Sequence, residues 1–402
     1  MPGFELFGDE ERKEVNDVMA HGVLMRYGFD AQRKGSWKSK ELEAEICKSF
    51  GSKYAQLTSS GTSALTTAMH ALGIGYGDEV IMPSFTFVAS FESILSVGAV
   101  PVMVDVDDTL TLDPKAVEKA ITLKTKCVMP VHMCGSPADL DALKAICDKH
   151  KLILLEDACQ AIGATFKGKS VGNIGVAAAF SFDYVKTMTC GEGGVVITND
   201  KDIYVKCDGY SDHGHDHLGA DRGADQHPFM GYNYRIGELN SAIGLAQIRR
   251  LDKVLKLQHR NSTIIREALS KVDGVTFRRI PVGGGENASF LSFFLPSEEK
   301  ARKVTQEFKD KGIAGNFYWY DNNWHYIRKW DHLKQAISLA PLAPELKEKV
   351  MKNVTGTFAP SDEIMKRCIS SSISVLWTEE QVHARAKAMA EAILTHSTAK
   401  VW

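Results

Sequence analysis

Apolar and polar positions alternate along the chain in two distinct rhythms, and these rhythms predict its elements. Residues 38–50, "KSKELEAEICKSF", carry helical spacing and stop at Gly51. "SSGTSALTTAMHAL" (59–72) sets small polar residues ahead of a helix that ends at Gly73. "EVIMPSF" (79–85) and "VPVMVDV" (100–106) are near-continuous apolar runs that predict buried strands, with the helix "VASFESILSV" (88–97) between them. The strand "KCVMPVHM" (126–133), the helix "DLDALKAICDKH" (139–150) and the strand "KLILLEDA" (151–158) repeat the unit. "VAAAFSF" (176–182) and "GGVVITND" (193–200) predict two more strands. Such alternation predicts an α/β layer around a mostly parallel sheet.

The rhythm changes near 245–275, where "AIGLAQIRRLDKVLKLQHRNSTIIREAL" predicts one long helical segment. Shorter strands such as "FLSFFLP" (290–296) follow, and "PVGGGEN" (281–287) reads as a loop between strands. This places a large domain over 1–255 and a smaller C-terminal α+β domain over 256–402. There is no internal repeat and no low-complexity tract.

Composition narrows the class. The 402 residues are 44% hydrophobic and 24% charged, with net charge −2. A chain of this length buries about 75% of its unfolded surface without staples. No basic face for nucleic acid or a polybasic membrane anchor is indicated. The eight cysteines form no C-x-x-C pair, so they are expected as reduced thiols in a cytoplasmic protein. "MPGFELFGDEERKEV" lacks the apolar stretch of a signal peptide, and no run of 18 apolar residues is present to span a membrane.

Three motifs compete for a function. "GATFKGKS" (163–170) matches the phosphate-loop pattern of a nucleotide triphosphatase, but "VGNIGV" follows it in place of a helix, so a hairpin with a Lys-Gly-Lys turn is expected. "GIGYG" (73–77) lacks the flanking strand and helix of a dinucleotide site. "SDHGHDH" (211–217) offers His213, His215 and His217 with two aspartates, yet the usual zinc-ligand spacings are missing. No metal is expected there; a loop whose imidazoles face a polar ligand is.

Four further elements fit one cofactor. The helix opening at "SSGTSAL" offers free amides and a dipole to an anion, although a plain helix cap would look the same. Asp157 in "EDACQ" ends an apolar strand at its carboxyl end, where ligands of open α/β sheets sit; it could equally cap a helix. Ser181 and Lys186 in "FSFDYVKTMTCGEGG" lie five residues apart, close enough for a phosphate and an aldehyde; alone, Lys186 would read as a solvated lysine. "GYNYRIGELNSAIG" (231–244) opens another helix and could be a dimer face or a capping segment. A phosphate cradle, an acid for a pyridinium nitrogen and a lysine for a Schiff base are what pyridoxal phosphate (PLP) requires.

From about residue 5 to 390 the chain resembles the sugar aminotransferase family of PLP enzymes, within the aspartate-aminotransferase fold (fold type I). The strings "SSGTSAL", "PSFTFVAS", "GAVPVMVDVD", "EDACQAIGA", "FSFDYVKTMTCGEGG" and "GYNYR" carry the resemblance. It implies that Lys186 is the Schiff-base lysine, that Asp157 pairs with the ring nitrogen and that Gln160 lies at the ring hydroxyl. It implies that Gly61, Thr62 and Ser181 hold the phosphate and that Phe87 stacks on the ring. Asn233 would reach the phosphate of the neighbouring subunit, which implies a homodimer with shared active sites. Related dehydratases carry His where this chain has Lys186, so the lysine argues for amino transfer.

"VHMCGS", "SDHGHDHLGADRGADQHPFMGYNYR" and "GNFYWYDNNWHY" are not general family features. They resemble a branch that acts on a free, acidic eight-carbon sugar with L-glutamate as amino donor. On that reading His213, His215, His217, Arg222, Trp319 and Tyr320 face the sugar's carboxylate and hydroxyls; "FYWYDNNWHY" could equally be an aromatic core segment. The alternatives are a nucleotide-linked 4-ketosugar aminotransferase of the same family, the triphosphatase using 163–170, and a noncatalytic cofactor-binding regulator, which the lack of an added DNA-binding segment disfavours.

Overall fold

A computed structural model describes residues 3–396. Its centre is a seven-stranded sheet. The strands are β1 (Tyr54–Thr58), β2 (Glu79–Pro83), β3 (Val100–Val104), β4 (Thr125–Val128) and β5 (Ile153–Asp157). After a small hairpin of β6 (Thr165–Phe166) and β7 (Lys169–Ser170) come β8 (Ala177–Ser181) and β9 (Gly194–Thr198). Their order is β1-β9-β8-β5-β4-β2-β3, and β9 alone runs antiparallel to its neighbours. The predicted mostly parallel sheet is therefore present. The phosphate-loop match forms the β6–β7 hairpin and opens no helix.

Strand alternation aims the side chains that matter. In β5, Ile153, Leu155 and Asp157 share one face, while Leu154 and Glu156 share the other. In β8, Ala177, Ala179 and Ser181 face the Gly61–Ala71 helix, and Ala178 and Phe180 face the opposite layer. Ala64 and Ala68 of that helix are fully buried in the same cluster as Ala177 and Ala179. Small residues on both surfaces let the helix settle closely on the sheet.

A second, wholly antiparallel sheet is built from β10 (Thr276–Phe277), β12 (Phe290–Phe294), β13 (Asn316–Phe317) and β14 (Cys368–Ser372), in the order β10-β12-β14-β13. The helices Leu251–Leu269, Glu298–Asp310 and Glu379–Thr395 share one apolar cluster with it. The boundary drawn at 255/256 falls inside Leu251–Leu269. Helix Pro344–Val354 returns to pack on β3 of the large sheet.

Three predicted elements differ. The strand expected over 126–133 ends at Val128, because Pro130 has no N–H for the ladder; Met133–Gly135 then turns as a short 3-10 helix with Cys134 at φ 55°. The long helix expected from 245 is two helices, Glu238–Arg249 and Leu251–Leu269, broken at Arg250. The Arg250 guanidinium holds the Leu6 carbonyl and Glu11 at the break. The loop 281–287 contains β11 (Gly284–Gly285), which pairs with β6. A Cβ on Gly285 would meet Thr165 Oγ1 at 2.4 Å, so the glycine leaves room for that hydroxyl beside the pairing.

Candidate active site

The carboxyl end of β5, the start of the Gly61–Ala71 helix and the turn after β8 converge on a cavity of about 670 Å³. Gly61, Thr62, Phe87, Asp157, Gln160, Ser181 and Lys186 all line it, as does Trp319. Residues separated by up to 125 positions of sequence among the first seven are thus brought together by the fold.

Asp157 is 2% exposed, and its carboxylate is oriented from two sides. Ser90 Oγ donates to Oδ2 at 2.7 Å and the Cys159 N–H donates to Oδ1 at 3.1 Å. Ser90 in turn lies 2.7 Å from Oγ1 of Thr86, which stands just ahead of the Val88–Ser96 helix. Gln160 is held with its Oε1 accepting the Cys134 N–H at 3.1 Å.

Ser60 caps the Gly61–Ala71 helix: its Oγ accepts the Ser63 N–H at 3.0 Å. Among the described residues nothing accepts the Gly61 and Thr62 amides, so two orphan donors point out of the helix end. A Cβ on Gly61 would lie 2.7 Å from Ser181 Cβ and 3.1 Å from Ser181 Oγ. The glycine thus lets a hydroxyl and two free amides share one small cradle, which fits a phosphate.

Lys186 sits in the turn after β8. Asp183 shapes it by accepting the Val185 N–H on Oδ1 at 2.9 Å and the Lys186 N–H on its carbonyl at 3.0 Å. The Lys186 carbonyl accepts the Gly3 N–H at 2.9 Å, so the N-terminal segment closes this side. Lys186 Nζ lies 5.9 Å from the centre of the Phe87 ring. Phe87 is stacked on Trp324 at 5.7 Å and 11°.

Sequence reasoning missed Ser90, Asn322, Trp324 and His325, all of which line the cavity. Ser90 was legible as a small polar residue in the first turn of the helix predicted over 88–97. His325 packs against Trp319 at 4.7 Å and Phe87 at 5.3 Å. Burial and the nearby Lys186 charge hold its imidazole down to about 3.

Other expected residues lie elsewhere in this chain. His213, His215, His217, Arg222, Tyr320 and Asn233 do not line the cavity. Tyr320 packs with Tyr318 and Tyr326 against the core, because the short Trp319–Asp321 turn sends consecutive side chains in different directions. The histidine loop is instead knitted around Asp212, which is fully buried. Arg222 meets Asp212 at 2.5 and 3.0 Å, Arg235 pairs with it too, and His217 bridges Asp208 at 2.8 Å and Asp212 at 3.0 Å. Burial works against charge on both groups, but the pairing wins: Asp212 stays far below the usual carboxylate range and His217 rises to about 9. His215 lies 3.1 Å from both Asp225 and Arg222, and His213 adopts φ 55° at the loop surface. Among the described residues, no group of three or more His, Cys, Asp or Glu is arranged to hold a metal ion.

A lysine, an oriented acid at a strand end and an anion cradle around one cavity define a PLP-dependent aminotransferase of the aspartate-aminotransferase fold. Comparison with known proteins agrees. The profile of the DegT/DnrJ/EryC1/StrS aminotransferase family matches residues 7–389, and the chain belongs to that family. It is similar to 3-amino-5-hydroxybenzoic acid synthase at 29% identity, covering 98% of each chain with a TM-score of 0.78. It is similar to the aminotransferase of Psychrobacter cryohalolentis at 27% identity, covering 97% of this chain and 98% of that one, with a TM-score of 0.82. It is similar to DesV of S. venezuelae at 27% identity, covering 96% and 94%, with a TM-score of 0.78. The protein is a PLP-dependent sugar aminotransferase.

Proposed function

We propose that the protein is an 8-amino-3,8-dideoxy-manno-octulosonate aminotransferase. It moves the amino group of L-glutamate to the C8 carbonyl of 3,8-dideoxy-8-oxo-manno-octulosonate, giving the 8-amino Kdo sugar for lipopolysaccharide. The chemistry is carried by one observation: Lys186, Phe87, Asp157 and the Gly61/Ser181 cradle line a single cavity. The choice of sugar is supported by the sequence resemblance of 131–136, 211–235 and 315–326.

In this reading Gly61, Thr62 and Ser181 bind the cofactor phosphate, Phe87 stacks on its ring, and Gln160 meets the ring hydroxyl. Asp157 holds a proton on the ring nitrogen, with Ser90 and the Cys159 amide keeping its carboxylate in place. Bound there, PLP supplies a protonated ring that accepts the electron pair left at Cα. Lys186 Nζ takes the proton from Cα of L-glutamate and later delivers one to C8 of the sugar. Trp319, 3% exposed, closes one wall of the site against water. Ping-pong kinetics follow from one site serving donor and acceptor in turn.

Asn233 is exposed and outside its own chain's cavity, which suits a contact made in the partner's site of a homodimer. The histidine loop and Arg222 would face the sugar by the same route. The division into 1–255 and 256–402 and a cytoplasmic location, with all eight cysteines free, belong to this reading. Among the described residues no helix is long and apolar enough to cross a membrane.

The test begins with the visible spectrum of the protein before and after L-glutamate. Borohydride should trap the cofactor on Lys186, glutamate should convert it to the pyridoxamine form, and Lys186→Ala should abolish turnover. The glutamate-treated protein is then offered the 8-oxo octulosonate and a panel of nucleotide-linked 4-ketosugars. Return of the PLP spectrum with the octulosonate alone supports the assignment; return only with a nucleotide sugar replaces it with the other branch.

A further inference from the structure

His325 and Asn322 have no role in the account so far, yet both line the cavity. Asn322 Oδ1 accepts the Trp324 N–H at 2.9 Å and lies 3.0 Å from His325 Nδ1. An atom that takes a backbone N–H is the amide oxygen, so the orientation of Asn322 is settled by the main chain. A carbonyl oxygen donates nothing, so His325 Nδ1 must donate. A neutral imidazole protonated on Nδ1 carries its lone pair on Nε2. Among the described residues nothing hydrogen-bonds that Nε2.

The ring cannot easily turn away. Trp319, 3% exposed, packs on one side and Phe87 on another. The His325 carbonyl accepts the Thr86 N–H at 3.0 Å, which ties its main chain to the start of the Val88–Ser96 helix. The ionisable side chains sharing the cavity are Glu5, Asp157, Asp183, Tyr184, Lys186 and Glu192, with the Cys159 thiol beside them. Burial first and Lys186 second keep the imidazole uncharged.

We propose that Asn322 is a positioning residue that locks His325 with Nδ1 protonated, so that Nε2 presents a fixed acceptor to a hydroxyl or ammonium donor of the substrate beside Lys186. The inference rests on the substrate occupying the cavity described under the proposed function. A polyhydroxy acceptor offers such donors next to its carbonyl. An imidazolium would offer no acceptor and would repel the amine of Lys186.

The lock is tested by nitrogen NMR of the ¹⁵N-histidine-labelled full-length protein, with His325 assigned by its loss in His325→Gln. Wild type should show Nδ1 protonated and Nε2 unprotonated from about pH 8 down to about pH 5, below the ordinary imidazole pKa. Asn322→Leu should show both tautomers. A protonated Nε2 in wild type, or an unchanged tautomer in Asn322→Leu, overturns the lock. This readout needs no sugar, so it stands apart from the identity of the substrate.

Kinetics then test its use. His325→Gln should raise KM for the amino acceptor about 10-fold, the value of one lost buried hydrogen bond. Asn322→Asp keeps the acceptor for Nδ1–H and adds a charge that raises the imidazole pKa. It should match wild type at about pH 8, and its acceptor KM should climb as pH falls toward about 5, while wild type stays flat. Equal acceptor KM in wild type and His325→Gln, or no difference in the pH profiles of Asn322→Asp and wild type, refutes the acceptor role.

Discussion

Ser90 Oγ donates a 2.7 Å hydrogen bond to Asp157 Oδ2 across 67 residues of sequence. Ser90 stands on the Val88–Ser96 helix and Asp157 ends β5, so the bond couples the helix behind Phe87 to the acid at the floor of the cavity. A hydrogen bond to an ionised carboxylate contributes about 1.5–3 kcal/mol. Ser90→Ala should therefore keep the fold and lower kcat about 10-fold or more, with Asp157→Ala far more damaging. Steady-state rates with saturating L-glutamate check this; an unchanged kcat in Ser90→Ala would show that the Cys159 amide orients Asp157 alone.

The Gly61–Ser181 contact predicts a steric lesion. Gly61→Ala sets a Cβ 2.7 Å from Ser181 Cβ, closer than real Cβ atoms approach. The helix end must shift, and the free amides of residues 61 and 62 shift with it. Expected is a loss of PLP affinity of about 10-fold or more, by fluorescence titration of cofactor-stripped protein, with far-UV circular dichroism unchanged.

On the opposite face of β5, Glu156 is fully buried and accepts from Gly172 N (2.7 Å), Ile174 N (2.9 Å) and Gly175 N (2.6 Å), while His132 Nε2 lies 2.9 Å away. His132 Nδ1 accepts the Ala138 N–H at 3.0 Å, so Nε2 is the donor to Glu156. Removing the carboxylate orphans four buried donors. Glu156→Ala should cost about 3–5 kcal/mol in urea unfolding. His132→Ala should cost less, because the three amides keep their acceptor.

The Asp212 cluster predicts a pH window for stability. His217 is raised from an ordinary 6.5 to about 9. Its contribution is complete below about pH 6.5 and is lost as pH rises through about 9. Asp212 is shifted the other way, so its contribution is complete above its ordinary value of about 3.9 and fades under acid. His217→Gln should be less stable than wild type by on the order of 2 kcal/mol at about pH 6, and the gap should close above about pH 9. A gap independent of pH in thermal unfolding would assign the loss to packing against Tyr27, which stacks on His217 at 4.2 Å.

The proposed homodimer carries its own test. Lys186→Ala and Asn233→Asp should each be nearly inactive, the second because a carboxylate beside the phosphate repels it. Refolded together in equal amounts, they should regain about a quarter of wild-type activity, since half of the dimers hold one intact site of two. No recovery would place Lys186 and Asn233 in sites that do not combine.

Much of this protein was legible in its sequence, and the reason is local. The apolar runs of β2, β3, β5 and β8 and the Gly-stopped helices between them are written in side-chain periodicity, which neighbouring residues alone decide. Asp157 at a strand end, Gly61 at a helix start and Lys186 in a Gly-bounded turn follow from the same reading. The break at Arg250 was not legible, because a remote carbonyl and Glu11 hold it. The pairing of Gly284–Gly285 with β6 was hidden likewise, since glycine leaves no hydrophobic signal. Which side chains of "FYWYDNNWHY" enter the cavity depended on a 3-10 turn that sends Trp319 in and Tyr320 out. The Ser90–Asp157 bond, the Asn322–His325 pair and the burial of Asp212 beneath its arginines were decided by tertiary structure alone. Each depends on distances between elements, and sequence spacing sets no such distance until the chain has packed.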